Sequence, residues 1–183
     1  MFTYCIREKI RMVYILDEQK VNLVGFGATC VIAGVVIKNS LEQMGQKEHY
    51  GTNIGMALFL GGWCFVAYGI GKNQNNTNRM LAILSSLVIV GAVMGMKSYM
   101  TNKETPPMWL PGTFALAWIL LGYSSSKGTL LQDKLMGVFA GVLVGISMLV
   151  ILPWQRKNKI IDGPGMPLFV LAWVLLVASS AKK

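Results

Sequence analysis

The side chains that most often perform chemistry in enzymes are few in this sequence and are not grouped. A serine or cysteine nucleophile needs a base, and the only histidine, His49, lies in a polar segment beside Lys47 and Glu48. There is no metalloprotease HExxH motif, no phosphate-binding glycine loop and no pair of carboxylates within an apolar stretch. We therefore interpret His49 as a solvated loop residue and expect no enzymatic activity, no cofactor and no metal site.

The remaining reactive side chains also fit structural roles. Cys5, Cys30 and Cys64 lack the spacing of a metal site or a disulfide framework, and the last two lie in apolar runs, where a thiol behaves as a small hydrophobe. Hydroxyl residues within or beside the apolar runs can bond back to the preceding helical turn. They are Ser85, Ser86, Thr113, Ser124–Ser126 and Ser147. We consider them too few to line a polar conduit.

The composition is that of a membrane protein. Of the 183 residues 54% are hydrophobic and only 14% are charged, whereas about 25% are charged in a typical soluble domain. The formal net charge is +9, but the basic residues stand at the ends of apolar runs, where lysine and arginine meet lipid headgroups. We therefore expect a lipid bilayer as a partner and no nucleic acid.

Six apolar segments are close to the length needed to cross a bilayer as helices. They are 21–38, 54–71, 80–96, 108–124, 135–152 and 164–180. Apart from Lys38 at the end of the first, these segments contain no ionisable side chain other than cysteine and tyrosine. They predict one membrane domain over 21–183. Residues 1–20 before it carry Ile6 and Ile10 on one helical face, which fits either an interfacial helix or a solvated lead-in.

A stretch centred on tryptophan occurs three times, as FLGGWCFVAYGIGK at 59–72, FALAWILLGYSSSK at 114–127 and FVLAWVLLVASSAK at 169–182. Its phenylalanine, tryptophan and lysine each recur after 55 residues. The tryptophans are Trp63, Trp118 and Trp173. The spacing predicts a triplicated unit, with repeats over 21–73, 74–128 and 129–183.

Two helices per unit return the chain to its starting side, so the three units have the same orientation. The predicted fold is an all-α integral membrane protein with six transmembrane helices in three parallel helical-hairpin repeats of about 55 residues. The hairpins could close into a pseudo-threefold bundle or form a flat row. The side with both termini carries ten Lys or Arg against seven on the other side, which favours the cytoplasmic-equivalent side for the termini.

The first helix of each unit carries small residues at a spacing of four, which permits close helix packing in lipid. The clearest are Gly91, Gly95, Gly137, Gly141 and Gly145. We therefore expect the glycine-bearing helices to line the inside of the bundle and the tryptophan helices to lie outside. The tryptophans would then fill space between helices or face lipid. The alternative is a ring of aromatic residues around a hydrophobic ligand.

Two functions remain open. One is a structural or assembly protein that organises other subunits of a larger complex at a membrane. The other is a passive channel or carrier for a small neutral or hydrophobic solute, which would need a polar lining that the sequence does not provide. We favour the structural role.

The apolar hairpins with Asn/Lys-rich connectors, KNQNNTNR at 72–79 and WQRKNKI at 154–160, resemble small virion membrane proteins of nucleocytoplasmic large DNA viruses. The resemblance implies a virion inner membrane as the location and capsid proteins as partners. Exposed basic residues would then make the contacts to partners or to lipid headgroups. The candidates are Arg7, Lys9, Arg11, Arg156, Lys157 and Lys159.

Overall fold

The computed structural model describes residues 18–44, 50–126, 131–158 and 163–181, and the regular structure within these ranges is helical, with no strand. The prediction of an all-α chain is therefore confirmed for this part. The helices are α1 (Glu18–Gln43), α2 (Tyr50–Gly71), α3 (Asn76–Thr101), α4 (Trp109–Ser125), α5 (Leu131–Ile146), a π-helical turn (Ser147–Ile151), α6 (Leu152–Lys157) and α7 (Gly165–Ala181). The predicted interfacial segment before residue 18 lies outside the described residues.

Four of the helical segments are long and apolar enough to cross a membrane. They are Gln19–Lys38, Asn53–Gly71, Asn76–Tyr99 and Lys134–Gln155. Asn53–Gly71 is part of α2, which carries Trp63. The other two helices with a spaced tryptophan, α4 and α7, have 17 residues each. At 1.5 Å per residue they extend about 26 Å, slightly less than the ~30 Å hydrocarbon core of a typical bilayer.

The π-helical turn joins α5 to α6 without a break in the helix. Pro153 follows this turn, and a proline cannot donate a backbone hydrogen bond and clashes with the carbonyl four residues earlier. Widening the preceding turn is one way to accommodate that clash. Ser147, at the start of the turn, donates a hydrogen bond to the carbonyl of Gly165 and so ties this segment to the beginning of α7.

The helices form a closed bundle. Each packs against the next along the chain, and α1 packs against α7, so the first and last described helices are neighbours. A flat row of hairpins would separate these two helices. The three helices that carry the spaced tryptophans, α2, α4 and α7, also contact one another at the centre.

The expected arrangement of inner and outer helices was therefore wrong. The tryptophan helices lie at the centre, and α1, α3 and α5 pack around them. The outer helices expose large apolar side chains such as Phe26, Leu87 and Phe139, while Trp118 is only 2% exposed. Hydropathy could not distinguish the two arrangements, because lipid and a protein interior are both apolar environments.

Paired glycines bring the outer helices against the inner ones. On α1 and α2, a Cβ added to Gly27 would lie 2.7 Å from the carbonyl oxygen of Gly62, and a Cβ added to Gly62 would lie 2.7 Å from that of Gly27. Gly122 on α4 and Gly137 on α5 form a second reciprocal pair that is closer still. Because even one methyl group would overlap with backbone, these positions set the distance between the helices.

The glycines singled out from the sequence have different roles. Gly141 lies against the backbone of Trp118, slightly less closely than Gly137 lies against Gly122. Gly95 and Gly145 make looser contacts with side chains of α4. Gly91 is exposed, and a Cβ there would have nothing within 4 Å. Spacing alone therefore identified some of the helix contacts but did not separate them from a glycine on the outer surface.

Gly137→Ala should lower stability by about 1–3 kcal/mol, because the added methyl group overlaps with the backbone of α4 and forces the helices apart. Thermal unfolding of the purified chain in detergent measures the change. Gly91→Ala is the matched control and should be neutral or slightly stabilising, since alanine is the better helix former and the site is open. Equal losses in the two variants would contradict this assignment of the contacts.

Candidate functional site

The three spaced tryptophans meet at the centre of the bundle. The ring centroids are 5.3 Å apart for Trp63 and Trp118, 5.1 Å for Trp118 and Trp173, and 5.8 Å for Trp63 and Trp173. Each indole is at most 4% exposed. We call these three residues the tryptophan triad. Offset and edge-to-face pairs at such distances add to the stabilisation that burial provides.

A phenylalanine lies one helical turn before each tryptophan. Phe59, Phe114 and Phe169 pack on the indole of their own helix at centroid distances of 6.5, 6.3 and 6.4 Å. The spacing of four residues places both rings on the same face of the helix. In each of α2, α4 and α7 a phenylalanine therefore packs on the tryptophan, nearer the N-terminal end of the helix.

The indole Nε1 atoms of the tryptophan triad are buried and have no hydrogen-bond partner within the described part of the chain. The planes of Trp63 and Trp118 are inclined at 68°, and those of Trp118 and Trp173 at 86°.

A cavity of about 670 Å³ lies on the phenylalanine side of the tryptophan triad. The triad forms its floor, and the C-terminal halves of α1 and α3, the π-helical turn and the start of α6 contribute to its walls. We call this cavity the chamber. Its lining is apolar except for Lys38, Lys97 and Thr101, and no carboxylate is among the described residues that line it. Its volume is in the range of about 300–1,000 Å³ usual for small-molecule sites.

The polar lining residues lie near the C-terminal ends of α1 and α3. Lys38 lies beside Gly55, eight residues before Trp63 on α2, which places it about 12 Å above the floor by helical rise. Lys97 and Thr101 are one turn apart near the end of α3. The chamber is therefore lined by apolar side chains near the tryptophan triad and by two lysines farther from it.

The opposite side of the tryptophan triad contains buried polar side chains that bond to one another and to helix ends. Ser125 and Ser179 share a hydrogen bond of 2.8 Å between their hydroxyl oxygens. Lys20 donates to the carbonyl of Ile70, and Lys134 donates to those of Tyr123 and Ser126. Both lysines are buried, and a positive charge is favourable beside the unpaired carbonyls at a helix C-terminus.

Some serines bond within their own helices, as the sequence predicted for Ser124 and Ser125. Ser124, Ser125 and Ser180 each donate to the carbonyl three residues earlier. Ser85 and Ser86 on α3 are buried without a hydrogen-bond partner within the described ranges. None of these serines lines the chamber. The tryptophan triad thus separates the chamber from the polar end of the bundle.

Most of the residues proposed for partner or headgroup contact lie outside the part of the chain that the structure describes. Arg7, Lys9, Arg11 and Lys159 lie outside the described residues, and the side chain of Arg156 is not among those described. Lys157 is exposed at the end of α6. The chamber lysines, Lys38 and Lys97, were not singled out from the sequence. Both lysines end an apolar run on a glycine-bearing helix, and this position could have indicated them. Other basic residues also end apolar runs, so the position does not distinguish these two.

The described residues contain no cluster of three or more His, Cys, Asp or Glu that could hold a metal ion. No protein-family model matches the chain, and no curated protein or solved structure is significantly similar to it. The geometry of the bundle is therefore the basis for a functional proposal.

Trp118→Ala should lower stability by about 3–5 kcal/mol, because it removes an indole that contacts both other members of the triad. Trp154→Ala is the control. Trp154 is 55% exposed, so its loss should cost much less. Thermal unfolding in the same detergent compares the two variants, and a smaller loss for Trp118→Ala would show that the tryptophan triad does not hold the bundle together.

Proposed function

We propose that this chain is an integral membrane protein that crosses the bilayer six times, as three hairpin repeats of about 55 residues, and that it serves as a structural or assembly protein. The observation that carries the proposal is that the tryptophan triad closes the central axis of the bundle. The tryptophan triad blocks it, and no polar path leads past the triad among the described residues. Many large apolar side chains are exposed on the outside of the bundle, which suits contact with lipid or with the helices of other subunits.

Aromatic residues at both ends of the bundle support the membrane placement. Trp109 and Trp154 are exposed at the end that contains the chamber mouth, and Tyr68 and Tyr123 are exposed at the opposite end. Tryptophan and tyrosine favour the two membrane–water interfaces. The short α4 and α7 fit such a placement if the bilayer is locally thinner or the helices cross it with little tilt.

A passive channel is the less favoured alternative. A conduit requires a continuous lining that a solute can follow, whereas the chamber ends at three mutually packed indoles. A carrier for a hydrophobic solute is compatible with the chamber only if the triad opens. We also propose a virion inner membrane as the setting, with capsid proteins as partners, on the resemblance of the hairpins and their Asn/Lys-rich connectors to such proteins.

The six-crossing topology predicts that Thr77 lies on one side of the membrane and that Glu104 and Asn158 lie on the other. Each is exposed. Thr77→Cys, Glu104→Cys and Asn158→Cys, made singly in a chain without its native cysteines, can be labelled from one side with an impermeant thiol reagent. If only the four longest helices cross, Asn158 will share the side of Thr77, and that result would refute the proposed topology.

The assembly role predicts that the chain, extracted with a mild detergent from its native membrane, migrates in a complex much larger than its own 20.1 kDa. Replacing Arg156, Lys157 and Lys159 with glutamine should release it from the complex, because Arg156 and Lys157 end α6 and Lys159 follows them in the sequence. Lys72→Gln with Arg79→Gln, at the opposite end, is the control. A wild-type chain that migrates alone would exclude the assembly role.

A further inference from the structure

The chamber is large for an empty space and too apolar to hold water. Protein interiors are packed about as densely as organic crystals, so a space of about 670 Å³ inside a bundle is filled when the protein is in its membrane. A buried water makes about three hydrogen bonds to polar groups. The chamber instead presents aromatic rings, prolines and four methionine side chains, which are Met56, Met94, Met96 and Met148. A hydrocarbon group fits these surroundings better than water does.

The polar side chains among the described lining residues are Lys38, Lys97 and Thr101, and each already interacts within the protein. The Thr101 hydroxyl donates to the carbonyl of Lys97 at 3.0 Å. Lys38 and Lys97 each interact with another group of the chain. The indole Nε1 atoms of the tryptophan triad are buried, so the floor presents ring carbons to the chamber. The chamber therefore recognises an occupant by apolar contact and shape, not by charge.

The chamber has the depth of one leaflet of a bilayer. Each tryptophan of the triad lies near the middle of its apolar span, and these spans are Asn53–Gly71, Trp109–Ser125 and Gly165–Ala181. Helices that cross the bilayer therefore place the floor near its midplane. Lys38 lies about 12 Å from the floor by helical rise, close to half of the ~30 Å hydrocarbon core. An acyl chain of the adjacent leaflet extends over the same depth.

The chamber also reaches the outer surface of the bundle. Val35 on α1 and Met94 on α3 line it, yet they are 40% and 41% exposed. Both side chains are apolar, so an acyl chain can pass between the surrounding lipid and the chamber beside them without crossing a polar group. The headgroup of the same lipid then stays outside, near the exposed Trp109 and Trp154 that mark the membrane surface at this end.

We propose that the chamber takes up one acyl chain of a phospholipid from the adjacent leaflet, whatever the headgroup of that lipid. The chain extends from the opening beside Val35 and Met94 to the tryptophan triad, and the headgroup stays at the membrane surface. Methionine side chains are flexible and adapt to irregular shapes, which suits a flexible chain better than the fixed outline of a sterol. This binding rests on the proposed crossings of the bilayer but not on the assembly role.

Tryptophan fluorescence can detect the inserted chain, because bromine atoms on a lipid quench an indole at short range. Trp109→Phe with Trp154→Phe removes the two exposed tryptophans and leaves the triad. The full-length protein in detergent is titrated with phosphatidylcholine brominated near the end of its acyl chains and, separately, with phosphatidylcholine brominated near the headgroup. We expect quenching that saturates near one lipid per protein. It should be at least about twofold stronger for bromine at the chain end, because only that end reaches the floor about 12 Å below the lysines.

Phosphatidylglycerol with the same chain-end bromines should quench as strongly as phosphatidylcholine, because the headgroup lies outside the chamber. A strong preference for either headgroup would show that the headgroup and not the acyl chain is recognised, and it would contradict the proposed mode of binding.

Val93→Phe with Leu149→Phe places two larger side chains in the chamber and should weaken the quenching at least about threefold, because a filled cavity resists further volume. Val88→Phe with Val150→Phe is the matched control, since both valines are exposed and neither lines the chamber. The comparison of bromine positions needs no change to the chamber lining, so it decides the question even if the filled variant does not fold.

Three further results would overturn the proposal. Quenching that rises without saturation, or that is equal for the two bromine positions, would mean contact with lipid around the bundle and no inserted chain. Equal quenching in the filled and control variants would place the lipid outside the chamber. Quenching by a brominated sterol but by neither phospholipid would mean that the occupant is a rigid ring system. A chain that migrates alone yet shows saturable quenching would refute the assembly role and leave the acyl-chain site standing.

Discussion

The mutual packing of three indole rings determines how the helices of this protein can be arranged. In a membrane, burial of apolar groups gives little net drive for helices to associate, so shape and close contact decide which faces meet. Three tryptophans with centroids 5.1 to 5.8 Å apart require α2, α4 and α7 to converge at the centre. The outer helices then approach through glycine pairs such as Gly27 with Gly62, which leave room for backbone but not for a side chain.

The same packing divides the bundle into two unlike halves. On one side of the indoles, buried lysines and a serine donate to carbonyls near the ends of α2 and α4, and Ser125 and Ser179 bond to each other. On the other side the three phenylalanines and the surrounding helices leave the chamber. The bundle therefore combines a closed, hydrogen-bonded end with an end that has space for an occupant.

The lysines at the polar end of the bundle and the two lysines of the chamber have different surroundings. Lysines at the polar end lie against helix C-termini, where the local field favours a cation, and this accounts for their burial. Lys38 and Lys97 instead line the chamber near the C-terminal ends of α1 and α3, where they are half-buried.

The sequence by itself determined the helical class, the apolar character, the approximate helix positions and the equivalence of the three tryptophans, because length, hydropathy and a 55-residue period are properties of the chain alone. It also located Gly137 and Gly141 at helix contacts, but it did not separate them from the exposed Gly91. Only the tertiary structure decided that the tryptophans turn inwards, that α1 meets α7 and that a chamber remains above the indoles. The physical reason is that an indole is equally compatible with lipid and with a protein interior, and that a cavity depends on how side chains from separate helices fill shared space.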